Sequence, residues 1–148
     1  MERVIQGRAL ASATAAAELL VSAEPLSFWG GFDYRTGRII DARHPLYGEV
    51  ATGRALALPS ARGSSTTTAV LLEAMRAGTA PAAIVCRGVD PYFALATIVA
   101  EEMYARPLPV VAIGEEDYAS LRSGEWLILG ADGRIVVWLR PPRLRRCS

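Results

Sequence analysis

Lysine is absent from this chain, so all sixteen of its basic residues are arginine. The absence excludes a Schiff-base lysine and the lysine of a phosphate-binding P-loop within the chain. The formal net charge is only +1, which creates no overall field that would attract nucleic acid. Four of the arginines cluster near the end, at Arg140, Arg143, Arg145 and Arg146. We interpret residues 141–148 as a solvated basic tail rather than a nucleic-acid contact.

Cysteine and histidine are scarce as well. The two cysteines, Cys86 and Cys147, lie far from each other and from the single histidine, His44. Because neither cysteine has the spacing of a metal ligand, we expect no metal or iron–sulfur site built by this chain alone. A Gly-x-Ser-x-Gly elbow is also missing, which argues against a serine hydrolase. Two interpretations of His44 stay open: a loop-packing imidazole, which we favour, and a catalytic base.

Long apolar runs do not occur. The start of the chain carries Glu2, Arg3, Gln6 and Arg8 where a signal peptide would need its apolar core. We therefore expect no membrane partner and a cytoplasmic location. The chain has 148 residues, of which 51% are hydrophobic and 21% charged. That length and composition suffice for a buried core, and we predict a single domain over 1–148.

Strand patterns and helix patterns alternate through the middle of the chain. Strands are predicted at 4–10, 17–22, 50–58, 82–86, 110–114, 126–129 and 134–139, and helices at 66–77, 91–104 and 115–121. The stretch 11–17 also fits a helical turn, since alanine is the best helix former. The alternation predicts an α/β fold with right-handed crossovers and a partly parallel sheet, to which both ends of the chain add antiparallel strands.

The apolar positions of these elements predict which sides face the core. In the helix at 91–104 the predicted core residues are Phe93, Ala96, Ile98, Val99 and Met103. The pair Asp132-Gly133 predicts a hairpin turn near the end of the chain. We expect Trp126 and Trp138 to form the core of that hairpin.

The segment 24–49, called the aromatic loop below, is rich in proline, glycine, aspartate and aromatic residues. Loops of this length are uncommon in a compact domain unless they bind or cover something. One interpretation is an excursion pinned by Phe28, Trp29 and Phe32 as a satellite core; the other, compatible with it, is a binding role. Asp33 and Asp41 are expected to order the loop.

The segment 59–68, called the serine loop below, connects a predicted strand to the helix at 66–77 and carries five consecutive hydroxyl residues. Gly63 lets the backbone approach a ligand, and the first-turn amides and dipole of the helix favour an anion. Arg62 can grip a carboxylate, and Ser64, beside the glycine, is best placed to face a ligand. The sequence favours either an anion site with a reactive serine or simply an over-capped helix.

Together these motifs resemble the small subunit of the aconitase X family. The resemblance extends from about residue 4 to residue 113. The motifs that carry it are Glu-Pro-Leu-Ser-Phe-Trp-Gly-Gly-Phe-Asp at 24–33, Thr-Gly-Arg-Ile-Ile-Asp at 36–41, His-Pro at 44–45, and Pro-x-x-Arg-Gly-Ser-Ser at 59–65.

The resemblance implies a swivelling β/β/α domain equivalent to the mobile domain of aconitase. It also implies a separate large subunit that supplies cysteine ligands for an iron–sulfur cluster, with none bound by this chain. The first serine of the aconitase loop, the proton acceptor, falls on Ser64. The arginine of that loop follows the serines, whereas here Thr66 occupies its place and Arg62 precedes the glycine. The substrate-binding residues implied or inferred are Arg62, Gly63, Ser65, Thr66, Phe28, Trp29 and Gly30.

A small carboxylate is the expected substrate. Two reactions are associated with the family, dehydration of cis-3-hydroxy-L-proline, typical of bacterial members, and dehydration of mevalonate 5-phosphate, typical of archaeal ones. The hydroxyl-rich loop and the arginine-only composition favour the first. The alternative from another class is a non-catalytic regulatory module whose serine loop only holds an anion.

Overall fold

One mixed sheet of eight strands crosses the computed structural model, which describes residues 2–62 and 66–139. The strands are β1 (Glu2–Gln6), β2 (Arg8–Ala9), β3 (Ala15–Val21), β4 (Phe32–Asp33), β5 (Arg38–Ile39), β6 (Ala55–Leu58), β7 (Ala83–Arg87), β8 (Val110–Ile113), β9 (Trp126–Leu129) and β10 (Arg134–Trp138). In the sheet they follow the order β1-β10-β9-β3-β6-β7-β8-β2, and β4 pairs with β5 in a separate two-stranded ribbon.

The middle of the sheet is parallel. Strands β3, β6, β7 and β8 run in one direction, with Leu56 opposite both Leu20 and Ile84. Strands β6 and β8 are buried at every position, which is the reason that their sequences read as continuous apolar runs. The strands β1, β10 and β9 on one side, and β2 on the other edge, are antiparallel to their neighbours. The predicted α/β fold with antiparallel strands from both ends is confirmed.

Four helices accompany the described strands: α1 (Phe28–Gly31), α2 (Thr66–Ala77), α3 (Pro91–Tyr104) and α4 (Glu115–Ala119). The bounds of α2 and α3 are those that the sequence predicts. Helix α2 follows β6 and α3 follows β7, and both pack into one core, on one face of the parallel strands. Helix α4 follows β8 and places Tyr118 in a second core on the other face. None of these helices is long and apolar enough to cross a membrane.

Neighbouring strand residues serve different cores because side chains alternate along a strand. In β6, Leu56 and Leu58 join the core under α2 and α3, whereas Ala55 and Ala57 join the second core. The second core is completed by the antiparallel strands at the two ends of the chain, for example by Ile5 and Leu127. The central sheet therefore has little freedom to shift register, since a one-residue slip would exchange the two sets.

The aromatic loop packs over α2 as part of the main core. Phe28 and Phe32 are buried there with their ring centroids 5.5 Å apart, and Phe28 meets Phe93 of α3 edge-on at 5.9 Å. The prediction of a separate satellite core is therefore wrong for these rings. The two aspartates do order the loop: Asp33 accepts a hydrogen bond from Arg35 N, and Asp41 accepts one from Arg43 N, both at 2.9 Å.

Two predictions about buried faces are wrong. In α3 the buried residues are Phe93, Ala96, Thr97 and Ala100, while Ile98 and Met103 are exposed. The helix is apolar on more than one side, so its pattern does not select the face that contacts α2 and the sheet. In the hairpin, the half-buried Trp126 and Trp138 pair with each other across the strands. The core positions there are Leu127, Leu129, Ile135 and Val137.

Several strand bounds also differ from the prediction. The strand predicted at 4–10 is split into β1 and β2 at Gly7, whose N–H donates to Gly133 O at 2.9 Å. The strand predicted at 50–58 begins only at Ala55, because residues 52–54 form a turn in which Gly53 has a φ of +71°. Residues 15–17 belong to β3, so the helical turn that 11–17 also fitted does not form.

Candidate functional site

The carboxyl ends of the four parallel strands meet at one edge of the sheet. The chain leaves β3 into the aromatic loop, β6 into the serine loop, β7 towards Asp90, and β8 towards α4. In open α/β sheets this is the edge at which ligands bind, because the loops that follow parallel strands converge there. Both loops that the sequence singles out therefore start at the same edge.

The serine loop is joined to the aromatic loop just before its glycine. Ala61 pairs with Leu26 in a parallel bridge, and Arg62 N donates to Leu26 O at 3.0 Å. The Arg62 side chain is exposed, and Thr66 is the first residue of α2. The predicted site residues Gly63, Ser64 and Ser65 lie outside the residues that the structure describes.

Asp90 lies beside the serine loop and is a residue that sequence reasoning missed. Its Oδ2 accepts the N–H of Ala61 at 2.9 Å, and its Oδ1 accepts those of Tyr92 at 2.9 Å and Phe93 at 3.2 Å. The residue is only 7% exposed. Asp-Pro at a helix start is the sequence signal of an N-cap followed by proline at N1. That signal predicts the contacts with α3, but nothing local predicts the contact with Ala61.

A second contact connects the start of α2 with the same turn of α3. The hydroxyl of Thr68, which is buried, donates to Tyr92 O at 3.2 Å. Asp90 and Tyr92 therefore hold two points on the serine loop, at Ala61 and Thr68.

The predicted aromatic contacts divide into a buried and an exposed residue. Phe28 has 0% of its surface exposed, whereas its neighbour Trp29 is 72% exposed. The change of direction comes from the backbone, because Trp29 has an extended ψ of 114° and Gly30 a φ of +78°. A left-handed φ of this size favours glycine strongly. Helix α1 packs against α2, so Trp29 and Gly30 belong to the same side of the sheet as the serine loop.

His44 packs into the aromatic loop near the end of β3. Its Nδ1 accepts the N–H of Leu46 at 3.1 Å, and its Nε2 lies 3.3 Å from Glu24 O and 3.4 Å from Ser22 Oγ. A neutral ring that accepts at Nδ1 carries its proton on Nε2 and can donate it to Glu24 O. These contacts favour the loop-packing interpretation over that of a catalytic base.

A cleft of about 280 Å³ lies on the other face of the same edge, beside α4. Arg87, Tyr118 and Arg122 are among its lining residues. The Tyr118 hydroxyl donates to Ser22 O at 2.5 Å, and burial raises the pKa of this phenol well above its usual range. Arg122 directs its Nη1 to the carbonyls of Ala119 and Leu121. The contacts of Tyr118 and Arg122 therefore stabilise the turn around α4.

The thiol and carboxylate groups of the described residues do not form a metal site. No group of three or more His, Cys, Asp or Glu side chains within 2–62 and 66–139 is placed to hold a metal ion. Cys86 is fully buried in β7, and burial raises the pKa of its thiol to about 11. A thiol of this kind is a poor metal ligand, because metals bind the thiolate. These residues do not fit an iron–sulfur cluster.

The fold and its loops are those of a swivel domain, and the chain belongs to the aconitase X swivel-domain family, whose model it matches over residues 4–137. The predicted family is thereby confirmed. In fold the chain is similar to the holo-form crystal structure of Thermococcus kodakaraensis aconitase X, with a TM-score of 0.81 and 27% identity, covering 91% of this chain and 98% of that one.

Two relatives of the chain carry different enzyme names. The chain is 46% identical over 132 residues to the cis-3-hydroxy-L-proline dehydratase of Pseudomonas aeruginosa, covering 89% of this chain and 22% of that protein. It is 41% identical over 103 residues to the phosphomevalonate dehydratase small subunit of Methanothermobacter thermautotrophicus, covering 70% of this chain and 74% of that subunit. The chain thus spans about a fifth of the length of the first two curated relatives it matches.

Proposed function

We propose that this chain is the swivel-domain part of an aconitase X-type hydro-lyase that dehydrates cis-3-hydroxy-L-proline, and that Ser64 is the proton acceptor. The observation that supports the proposal most is the position of the serine loop. It leaves the carboxyl end of a central parallel strand and leads into α2, in a chain 46% identical to a cis-3-hydroxy-L-proline dehydratase over 132 residues.

Dehydration of cis-3-hydroxy-L-proline requires a base that removes the proton from the carbon next to the carboxylate. In cis-3-hydroxy-L-proline the hydroxyl stands on the carbon next to the one that bears the carboxylate. Removal of the proton from that α-carbon forms an enolate-like anion, and the loss of hydroxide from the neighbouring carbon, taken up as water with a proton, completes the elimination. Preorganised donors stabilise such a developing charge most effectively when water is excluded.

The serine loop has the groups for this work. Helix α2, which is twelve residues long, begins two residues after Ser64 in the chain, and the free amides at a helix start favour negative charge. Arg62 is exposed at the same loop and would bind the substrate carboxylate, with Gly63, Ser65 and Thr66 as further contacts. Serine is a weak base in water and needs such a cationic, dry setting.

The aromatic loop would close the site from one side. Trp29 is an exposed aromatic residue there, and Gly30 leaves open space in which a ligand could approach the backbone, since among the described residues no atom beyond its chain neighbours lies within 4 Å of an added Cβ. Phe28 would act through the loop that its buried ring anchors. Trp29 and Gly30 complete the set of proposed substrate contacts on this chain, whereas the buried Phe28 only supports them.

A partner completes the proposed enzyme. Relatives of this length are named small subunits, so we propose a large subunit of the aconitase X type that holds the iron–sulfur cluster and most of the substrate pocket. The described residues do not fit such a cluster. A cytoplasmic location is part of the same proposal, because free cysteines such as Cys86 are typical of a reducing compartment.

Mevalonate 5-phosphate is the second candidate substrate, favoured by the relatives named phosphomevalonate dehydratase small subunit. It is also a β-hydroxy acid, so the same base could remove its α-proton. Its phosphate, however, would require an additional cationic side chain in the binding site. The pair of subunits should be assayed with both substrates. Turnover of cis-3-hydroxy-L-proline is expected, and turnover of the phosphorylated substrate alone would replace our proposal with the second one.

The decisive variant is Ser64→Ala in the assembled enzyme. Loss of a general base typically costs about 10²- to 10⁴-fold in rate, so kcat should fall by that factor while the subunits still assemble. Ser60→Ala, the same change four positions earlier, is the matched control and should keep near-normal turnover. Near-normal kcat in Ser64→Ala would remove Ser64 from the mechanism and favour the non-catalytic, anion-binding module.

A further inference from the structure

Two points on the serine loop are held by a single turn of another helix. Ala61 N–H donates to Asp90 Oδ2 at 2.9 Å, and the Thr68 hydroxyl donates to Tyr92 O at 3.2 Å. Between these two points lie the residues of the proposed catalytic site. The first turn of α3 therefore sets the distance between Ala61 and Thr68.

Asp90 makes one contact more than an N-cap requires. Its Oδ1 accepts hydrogen bonds from two first-turn amides of α3, those of Tyr92 and Phe93, and these are the contacts that define an N-cap. Its Oδ2 is left for Ala61 of a different segment. Because the residue is only 7% exposed, water competes poorly for either oxygen. A carboxylate is needed for both tasks, since the second oxygen must also be an acceptor.

We propose that Asp90 is a positioning residue for catalysis, which holds the serine loop against α3 through Ala61 and so sets where Ser64 stands when the substrate is bound. The inference rests on the proposed function, because it assigns Asp90 a role in that same site. Arg62 N keeps its separate contact with Leu26 O, so loss of the Asp90 contact shifts the loop without releasing it. Chemistry should therefore suffer more than substrate binding.

Asp90→Asn separates the two tasks of the side chain. Asparagine is as good an N-cap as aspartate, but its amide has one acceptor oxygen, so its NH₂ group would face the N–H of Ala61. Asp90→Ser likewise keeps a cap and loses the loop contact. Asp132→Asn is the matched control, because the Asp132 carboxylate accepts the N–H of Arg134, at 3.0 Å, in the hairpin turn, far from the serine loop in the sheet order.

The expected result in the assembled enzyme is a fall in kcat of roughly 10- to 100-fold, the range produced by a misplacement of about 1 Å, with KM changed by less than about threefold. Asp90→Asn and Asp90→Ser should agree, and Asp132→Asn should resemble the wild type. Urea unfolding of each variant verifies that all are folded under the assay conditions. A purely structural Asp90 predicts wild-type kcat in every variant that is folded, and that result would overturn the proposal.

Amide hydrogen exchange in the full chain gives a readout that does not depend on activity. The Ala61 amide should exchange roughly 10- to 100-fold faster in Asp90→Asn, as expected for loss of a hydrogen bond to a charged group, while the Tyr92 amide changes less. Unchanged exchange at Ala61 would refute the loop contact. Thr68→Val, which removes the second contact, should lower kcat again when combined with Asp90→Ser; an unchanged kcat would refute the two-point hold.

The two proposals fail in distinguishable ways. If the wild-type assembly dehydrates neither substrate, the proposed function is wrong and the positioning role in catalysis falls with it, although faster Ala61 exchange would still establish the loop contact. If the wild type is active and Asp90→Asn is equally active, the positioning role alone is wrong.

Discussion

Phe28 and Trp29 are adjacent in sequence but should respond oppositely to truncation. Phe28 is completely buried between Phe32 and Phe93, whereas Trp29 is 72% exposed. Replacing a buried phenylalanine with alanine costs about 3–5 kcal/mol, through lost burial and the cavity left behind. An exposed side chain without such contacts usually contributes within about 0.5 kcal/mol. We therefore expect Phe28→Ala to be strongly destabilising and Trp29→Ala to be neutral in stability.

Urea and thermal unfolding of the two variants measure this difference. In a chain of this size each 1 kcal/mol shifts Tm by about 2–4 °C, so Phe28→Ala should unfold about 10 °C below the wild type. Phe28→Leu, which keeps most of the volume, should lose less stability and serves as the folded comparison if the alanine variant is too unstable to purify. The slope of the urea curve should be the same in all variants, since the unfolded surface is nearly unchanged.

Enzyme kinetics should rank the two residues in the opposite order, with the larger effect on KM at Trp29. In the proposed two-subunit enzyme Trp29→Ala should raise KM, because the exposed ring is a proposed substrate contact, and Phe28→Leu should leave KM nearly unchanged. Equal stability losses at the two positions would refute the burial argument. A loss of more than about 2 kcal/mol in Trp29→Ala would show, against the limit expected for exposed residues, that the ring packs in the core.

Two further predictions concern stability against pH and thiol reactivity. Arg3 donates to both carboxylate oxygens of the buried Glu125, at 2.6 and 2.9 Å, and this bond holds the pKa of Glu125 below its usual range. Stability from a lowered carboxyl pKa is present above the unfolded value of about 4.3 and is lost as pH falls through the folded pKa. Since Arg3 is 37% exposed, Glu125→Gln should lower the free energy of unfolding at pH 7 by about 2–3 kcal/mol, less than the loss of a fully buried pair. Stability measured by urea unfolding should then depend less on pH on the acid side, and an unchanged pH profile would contradict the assignment. The second prediction concerns Cys86, whose pKa is raised by burial to about 11, and it is tested in the variant Cys147→Ser, which has no other thiol. At pH 7 the Cys86 thiol should react with maleimide at least about 100-fold more slowly than a free cysteine. Labelling of the native chain as fast as that of the urea-unfolded chain would contradict this.

The elements with strong local signals are predictable from the sequence. Helices α2 and α3 have the predicted bounds, since each follows turn residues and α3 begins at Asp90-Pro91. The serine loop and the family follow from short motifs at 24–33 and 59–65, and the family is confirmed. The partly parallel sheet follows from the alternation of strands and helices.

What the sequence did not predict depends on contacts between distant segments. The exposed face of α3, with Ile98 and Met103, could not be chosen because the helix is apolar around much of its circumference. Trp29 is exposed because the backbone turns at Gly30. The spacing of apolar residues in the sequence does not predict that turn. The contact between Ala61 and Asp90 joins residues 29 positions apart, so neither residue alone carries a signal of it.

The position of the serine loop and the packing of the main core are physically connected. The Phe93 ring packs on Phe28, and the Phe93 backbone N–H donates to Asp90, which in turn accepts the N–H of Ala61. The aromatic loop contributes to the same arrangement twice, through the Phe28 ring and through Leu26 O, which accepts the N–H of Arg62. One support of the serine loop, Leu26 O, lies in the aromatic loop itself, and another, Asp90, precedes the helix on which Phe28 packs, so the aromatic loop both stabilises the fold and helps to orient the serine loop. This dual use gives a reason for packing a long excursion into the main core, since an independently mobile segment could not hold the proposed catalytic loop in place.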